Sequence, residues 1–328
     1  MSAHCENGVT SNLLRYYGIE LSEAMILGLG SGLFFSYLPF LKMNGVPVVA
    51  FRPYPGLIFN RVNKALGVKY KIHRFPKNPE KAMKMLDEKL AENTPVGMVV
   101  GIYNLTYFPA PYRFRFNAHN IVVYGKENNI YSVSDPIIEG VKTISYDDLK
   151  LVRYAKGSYK PKGKMYYLTN VKDAKEIDLK PAILKSFKRT CNFMQVYRTN
   201  LVGYRSMQKL AKDIREWPNK LDRRVAIKYL GSIVRMQEEV GTGGAGFRFM
   251  YGAYLQEVGK MYNNKQLEEM AIEITTIGDK WRLFATHCSR VIKGRNSADV
   301  SFDSIADLLV EISYDEKAFF TKLQKVKL

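Results

Sequence analysis

The chain has 328 residues, 46% hydrophobic and 25% charged, the proportions of a globular protein and not of a disordered or fibrous one. Lys and Arg outnumber Asp and Glu by 50 to 31, a net charge of +19. The excess is spread along the chain: residues 1–160 carry 20 basic and 12 acidic side chains, and residues 161–328 carry 30 and 19. Such a field favours acidic partners, whether nucleic acid, an anionic membrane surface, phosphorylated ligands or an acidic carrier protein. Cys5, Cys191 and Cys288 are too few for a disulfide framework, and no two stand at C-x-x-C spacing. At roughly 150 residues per domain, the length predicts two domains.

In chain order, the apolar spacing predicts helices over 7–17 and 22–37, the second capped by Ser22. The start, Met-Ser-Ala-His-Cys-Glu-Asn, lacks the basic end and apolar core of a signal peptide. Residues 24–41 carry no formal charge, long enough to raise a membrane span. Three Gly, two Ser and Pro39 weaken that option, and the segment is expected to be a buried core element of a soluble, cytoplasmic protein. After Gly45 come β-rich runs at 46–51, 68–74, 96–103, 114–124, 130–134 and 165–169, with a helix at 79–92 between them. The polar residues Glu127, Asn128 and Asn129 predict a hairpin turn. From about 177 the pattern is helical, with Pro181 suited to a first turn and Trp217-Pro218 breaking the run. Helices are expected over 221–240, 247–262, 266–292 and 303–325. The chain therefore reads as α+β: a mixed α/β domain at 1–172 and an all-helical domain at 173–328.

Three residues of the first domain carry the chemistry. Cys5 directly precedes a predicted helix, where unpaired N–H groups and the helix dipole favour thiolate. His119 opens a predicted strand, and Asp135 ends the next one in Ser134-Asp135-Pro136. Counted from the hairpin turn, His119 and Asp135 fall adjacent or diagonal across the strands. A histidine oriented by a carboxylate is what a general base for the Cys5 thiol requires. Taken singly, each has an ordinary explanation: a buried thiol, a capping histidine, an Asp-Pro turn.

The order of Cys at a helix start, His on a strand and Asp-Pro ending the next resembles papain-like thiol enzymes, closest to the bacteriocin-processing, double-glycine peptidase type. More specifically, His4-Cys5, the run Gly18-Ile19-Glu20-Leu21-Ser22-Glu23 and residues 28–35 are similar to the butirosin biosynthesis protein H family. Gly243-Gly244-Ala245-Gly246-Phe247-Arg248-Phe249-Met250-Tyr251 extends the similarity into the second half. The resemblance implies a papain-like domain followed by a helical one, with Cys5 as nucleophile, His119 as base and Asp135 as its orienter. Its founding member transfers an aminoacyl group from an acyl carrier protein to an aminoglycoside amine. Peptidases of this type place an oxyanion-stabilising Gln shortly before the Cys, and only Met-Ser-Ala-His precede Cys5. An oxyanion hole would use the Cys5 N–H plus Asn7 or His4. A thioester needs less such help than a peptide. Glu23, Arg113, Arg115, Arg248 and Tyr251 are candidate substrate contacts.

Residues 241–246 match a dinucleotide fingerprint literally, yet no strand precedes them, so a helix–helix turn is expected, or an anion-binding loop with Arg248. In 107–116, Tyr112, Phe114 and Phe116 alternate with Arg113 and Arg115, a half-buried edge strand or a wall whose arginines suit the phosphate of phosphopantetheine. His287-Cys288 is expected to be core packing and His73 surface. Spacing offers no metal site and no glycosidase carboxylate pair.

The expected function is thiol acyltransferase: an acyl or aminoacyl group passes from a phosphopantetheine thioester on an acidic acyl carrier protein, through Cys5, to a small-molecule amine or hydroxyl in a biosynthetic pathway. No bound cofactor, nucleic acid or membrane span is expected, and oligomeric state is left open. The alternatives are a cysteine peptidase or amidase and a non-catalytic basic binding protein.

Overall fold

The computed structural model describes residues 1–328 except 172, 198, 296 and 298. In chain order its elements are α1 (Cys5–Tyr16), α2 (Glu23–Leu29), β1 (Ser36–Met43), β2 (Val46–Ala50), α3 (Leu57–Ala65), β3 (Lys69–His73), α4 (Pro79–Ala91) and β4 (Val96–Val100). There follow β5 (His119–Glu127), β6 (Ile130–Ser134), β7 (Lys142–Ser145), α5 (Tyr146–Arg153) and β8 (Met165–Asn170). The rest is helical: α6 (Lys180–Cys191), α7 (Gly203–Lys220), α8 (Arg223–Val234), α9 (Arg248–Met261), α10 (Lys265–Ile292) and α11 (Phe302–Leu323). The chain is mixed α+β, and among the described residues no helix is long and apolar enough to cross a membrane.

Two compact units divide it, Met1–Ile26 with Pro55–Asp178 and Leu27–Tyr54 with Leu179–Leu328. The boundary expected at 172 falls on a residue outside those described. The division is also discontinuous, because Leu27–Tyr54 groups with the helical unit.

In the first unit an antiparallel sheet runs in the order β3-β8-β4-β5-β6-β7. On one face Ala82, Met83 and Leu86 of α4 and Leu149 and Val152 of α5 pack with Met98, Ile121, Val123 and Val133 in one apolar core. The other face, where Gly97, Asn120 and Val122 alternate with that core, is covered by α1. Helix α3 starts without a cap of its own: Gly56 precedes it in a left-handed conformation (φ 95°) and offers no side chain. The Glu6 carboxylate of α1 supplies the cap, accepting from the N–H groups of Gly56 (2.9 Å), Ile58 (3.0 Å) and Phe59 (3.1 Å). Helices α1 and α3 are thereby tied together.

The second unit contains the β1–β2 hairpin and the six C-terminal helices. The helix expected over 22–37 is shorter. Ser22 does cap α2, its Oγ accepting from the Met25 N–H at 3.0 Å. The helix ends at Leu29, followed by Ser31 at φ 48°; residues 32–35 are irregular, and β1 opens at Ser36. Asn44 and Gly45, at φ 52° and 76°, make the hairpin turn. Among the described residues, 173–328 hold only helices as regular elements, as expected, and the compact unit they belong to adds the β1–β2 hairpin. Helix α7 also runs through Pro218, which lies in its last turn, and stops at Lys220, so the expected break falls slightly later. In its core the Arg248 guanidinium pairs with Glu316 at 2.8 and 3.0 Å and stacks over Trp281 at 4.9 Å. Trp281 donates its indole N–H to the same carboxylate at 2.7 Å.

Candidate active site

Cys5 is the first residue of α1, and His4 is its N-cap, with the His4 Nδ1 accepting from the Asn7 N–H at 3.4 Å. The thiol thus sits where helix N–H groups are unpaired by the helix itself. It faces the Ala118 carbonyl at 4.0 Å, just before β5 begins. Glycine at position 8 lets the helix lie against the residue after Asp135: a Cβ there would stand 2.3 Å from the Pro136 Cβ. The Ser2 N–H donates to the Pro136 carbonyl at 2.7 Å, fixing the start of the chain to the same turn.

His119 opens β5, and its Nε2 lies 2.7 Å from Asp135 Oδ2. A β-bulge sets this pairing. From the Glu127–Ile130 pair, His119 lies eight residues back and Asp135 five on, and that odd offset would turn them to opposite faces. At Tyr124 the register shifts by one residue, from Gly125↔Ser132 to Val123↔Val133. Asp135 then comes level with Ile121, on the face of His119 and two residues along.

All three side chains are enclosed, with Cys5 9%, His119 1% and Asp135 4% exposed. The Asp135 carboxylate is filled by donors: besides His119, Tyr107 Oη gives to Oδ2 at 2.9 Å and the Ile137 N–H to Oδ1 at 3.1 Å. Burial alone would pull the His119 pKa down. The Asp135 charge and hydrogen bond, joined by a hydrogen bond to Cys5, overcome that and push it up to about 10. The imidazole therefore holds its proton at neutral pH, with Nε2 turned to the carboxylate and the ring also engaging the thiol. The Phe108 ring abuts it edge-on, centroids 5.4 Å apart.

Asn120 is a further group at the sulfur. Its Nδ2 lies 3.6 Å from Cys5 Sγ and 3.2 Å from the Ala118 carbonyl, and Tyr166 Oη donates to its Oδ1 at 2.9 Å. Asn120, Tyr166 and Tyr107 were not among the sequence candidates. Tyr107 and Asn120 lie near His119 in sequence but carry no motif, and Tyr166 reaches the site only because β8 lies beside β4.

The structure brings Cys5, His119 and Asp135 together and leaves the remaining candidates in other settings. His4 is the helix cap. The Asn7 side chain hydrogen-bonds to Glu23, whose carboxylate also accepts from the N–H groups of Ala3 (2.8 Å) and His4 (2.7 Å). Burial raises the Glu23 pKa against the pull of those donors. Glu23 therefore anchors the segment before Cys5. Residues 112–118 are not a strand. Arg113 closes a loop by donating to the carbonyls of Phe108 (2.7 Å) and Thr106 (2.5 Å), while Arg115 stacks over Tyr103. Arg248 and Tyr251 lie in the helical unit, both fully buried, and Arg248 is spent on Glu316 and the Gly246 carbonyl (2.7 Å). An internal ion pair occupies the place of the expected anion site. The glycines at 244 and 246 serve close packing, since a Cβ on Gly246 would meet the Phe51 ring at 2.1 Å.

A thiol on a helix start beside an imidazole–carboxylate pair on an antiparallel sheet is the arrangement of a papain-like domain in a mixed α+β chain. Comparison with family models agrees with that class. Residues 4–136 match "Butirosin biosynthesis protein H, N-terminal", and residues 147–323 match a domain of unknown function, DUF4872. The chain belongs to the butirosin biosynthesis protein H-like family, whose name sets it in biosynthesis. No curated protein matches it significantly. The two matched regions cut across the compact units, with β8 inside the second match and the β1–β2 hairpin inside the first.

Proposed function

We propose that the chain is a cysteine-dependent acyltransferase acting in the cytoplasm, with a carrier-protein thioester as donor and a small-molecule amine or hydroxyl as acceptor. The observation that carries it is the enclosed Cys5–His119–Asp135 constellation, with the imidazole held protonated beside the thiol. Family membership adds the biosynthetic setting, and the +19 charge suits an acidic carrier.

The Cys5 sulfur attacks the thioester carbonyl carbon, forming a tetrahedral oxyanion. As that collapses, the carbon–sulfur bond to the phosphopantetheine arm breaks, and the departing thiolate takes the proton from His119 Nδ1. Neutral His119 then accepts a proton from the acceptor amine or hydroxyl as it attacks the acyl-Cys5 carbon. The Cys5 sulfur leaves, and the imidazolium–thiolate pair is restored. Asp135 keeps Nε2–H directed away from the reacting atoms throughout.

Intact-protein mass spectrometry with a panel of acyl carrier thioesters tests this. Wild type is expected to gain one acyl mass, Cys5→Ala none, and the adduct is expected to disappear when the amine acceptor is added. Adduct loss to water at the same rate without acceptor identifies a hydrolase. Cys191 and Cys288 are internal controls, as both are buried and burial pushes the Cys191 thiol up to about 12. If iodoacetamide labels Cys5 no faster than these two, the nucleophile assignment fails.

A further inference from the structure

We infer that Asn120 is a catalytic residue, its side-chain amide being the hydrogen-bond donor that holds the Cys5 sulfur as thiolate. The amide points one way only. The Ala118 carbonyl can accept but not donate, so the group 3.2 Å from it must be the NH2, and that same nitrogen stands 3.6 Å from Sγ. Tyr166 Oη closes the other end by donating to Oδ1 at 2.9 Å. Each of the three contacts is satisfied in a single rotamer, and Asn120 is only 5% exposed.

Tyr166 is itself locked in place. It projects from β8 across Gly97 of β4, where a Cβ would lie 2.3 Å from its ring, and it packs on Phe59 with centroids 4.5 Å apart. A chain of contacts therefore runs from Gly97 through Tyr166 and Asn120 to the sulfur. The side chains expected at an oxyanion hole are engaged elsewhere: the Asn7 side chain serves Glu23 and His4 caps α1. A thiolate buried to this degree needs donors besides its imidazolium, because removing a charge from water is costly unless hydrogen bonds replace the solvent.

The charged and titratable groups near the sulfur come from several elements, and the Lys164 ammonium lies 5.7 Å from the centre of the Tyr166 ring. His119 is from β5, with Asp135 and Tyr107 behind it. Tyr166 is from β8, its pKa raised by burial and by the nearby charges of Glu6 and Cys5. Glu6 on α1 is occupied with the start of α3, and Glu23 of α2 holds the His4 amide. Of these, Tyr166 reaches the sulfur through Asn120.

The inference rests on Cys5 being the nucleophile and deepens that reading. Its test is the rate of Cys5 alkylation by iodoacetamide against pH, a reaction that forms no oxyanion and needs no acyl donor. Asn120→Leu removes the amide at similar volume and is expected to raise the pH midpoint by about one unit, roughly tenfold in thiolate population at a given pH. Tyr166→Phe keeps the ring against Gly97 and is expected to raise it by a smaller amount. Where Asn120→Leu does not refold, Asn120→Ala deletes the amide without demanding space. Variants that melt like wild type and keep its alkylation profile overturn the role of Asn120 and leave Cys5 standing. A wild-type Cys5 that alkylates no faster than Cys191 sinks the nucleophile assignment instead, so the two failures are distinguishable. If the profiles coincide but acylation by a thioester is lost, Asn120 serves the oxyanion and the thiolate role is wrong.

Discussion

Asp135 accepts three hydrogen bonds, from His119, Tyr107 and the Ile137 amide, and this fixes more than an orientation. The His119 pKa stands at about 10 against an ordinary 6.5, so the folded state binds that proton more tightly than the unfolded chain. Linkage gives the sign: the pair's stabilisation is complete below about pH 6.5 and is lost as the pH rises through about 10. Asp135→Asn removes the charge that holds the proton. Unfolding free energy measured from pH 6 to 10.5 is expected to fall less steeply in that variant than in wild type. The difference between the two curves carries the result, because Cys191 and Cys288, with thiol pKa values raised by burial, add the same alkaline loss to both. Parallel curves would show that Asp135 does not hold the imidazolium.

At the scale of elements, the site depends on how closely α1 lies against the turn after β6. Gly8→Val would force a side chain into Pro136, whose ring cannot swing aside. The expected outcome is a loss of about 1–3 kcal/mol of stability by chemical denaturation, typical of overpacking, with slower Cys5 alkylation. Normal stability and normal labelling together would show that α1 tolerates displacement. The same elements explain what sequence reasoning reached. Cys5, His119 and Asp135 each sit at an element end beside a cap or turn, and those punctuation signals are local. The hairpin at Asn44-Gly45 carried the strongest short-range signal of all, but the charge-free run before it drew the helix too far. Ser145, whose hydroxyl accepts from the Asp148 N–H at 3.1 Å, marked α5 in the same way and was passed over. Other features had no local signal. The cap of α3 is Glu6, fifty residues upstream of Gly56, and Tyr166 neighbours Asn120 only through the strand order β8-β4-β5.

For the whole molecule, the proposed acidic donor gives the +19 charge a role in encounter and not in chemistry. Raising ionic strength from about 0.05 to about 0.5 M is expected to slow acylation of Cys5 by a carrier-bound donor roughly tenfold, because screening weakens steering. Acylation by a small uncharged thioester and alkylation by iodoacetamide are expected to change little. Equal salt dependence for both donors would remove the charge from the account of partner choice. The discontinuous architecture has a temporal consequence. The β1–β2 hairpin leaves the ribosome ahead of the helices it joins, with roughly 120 residues of the other unit (55–178) between them. At ~5–20 residues per second, the hairpin waits on the order of ten seconds for α7 and α8. During that interval its Phe40 and Leu41, exposed even in the finished fold, are among the apolar surface open to a chaperone.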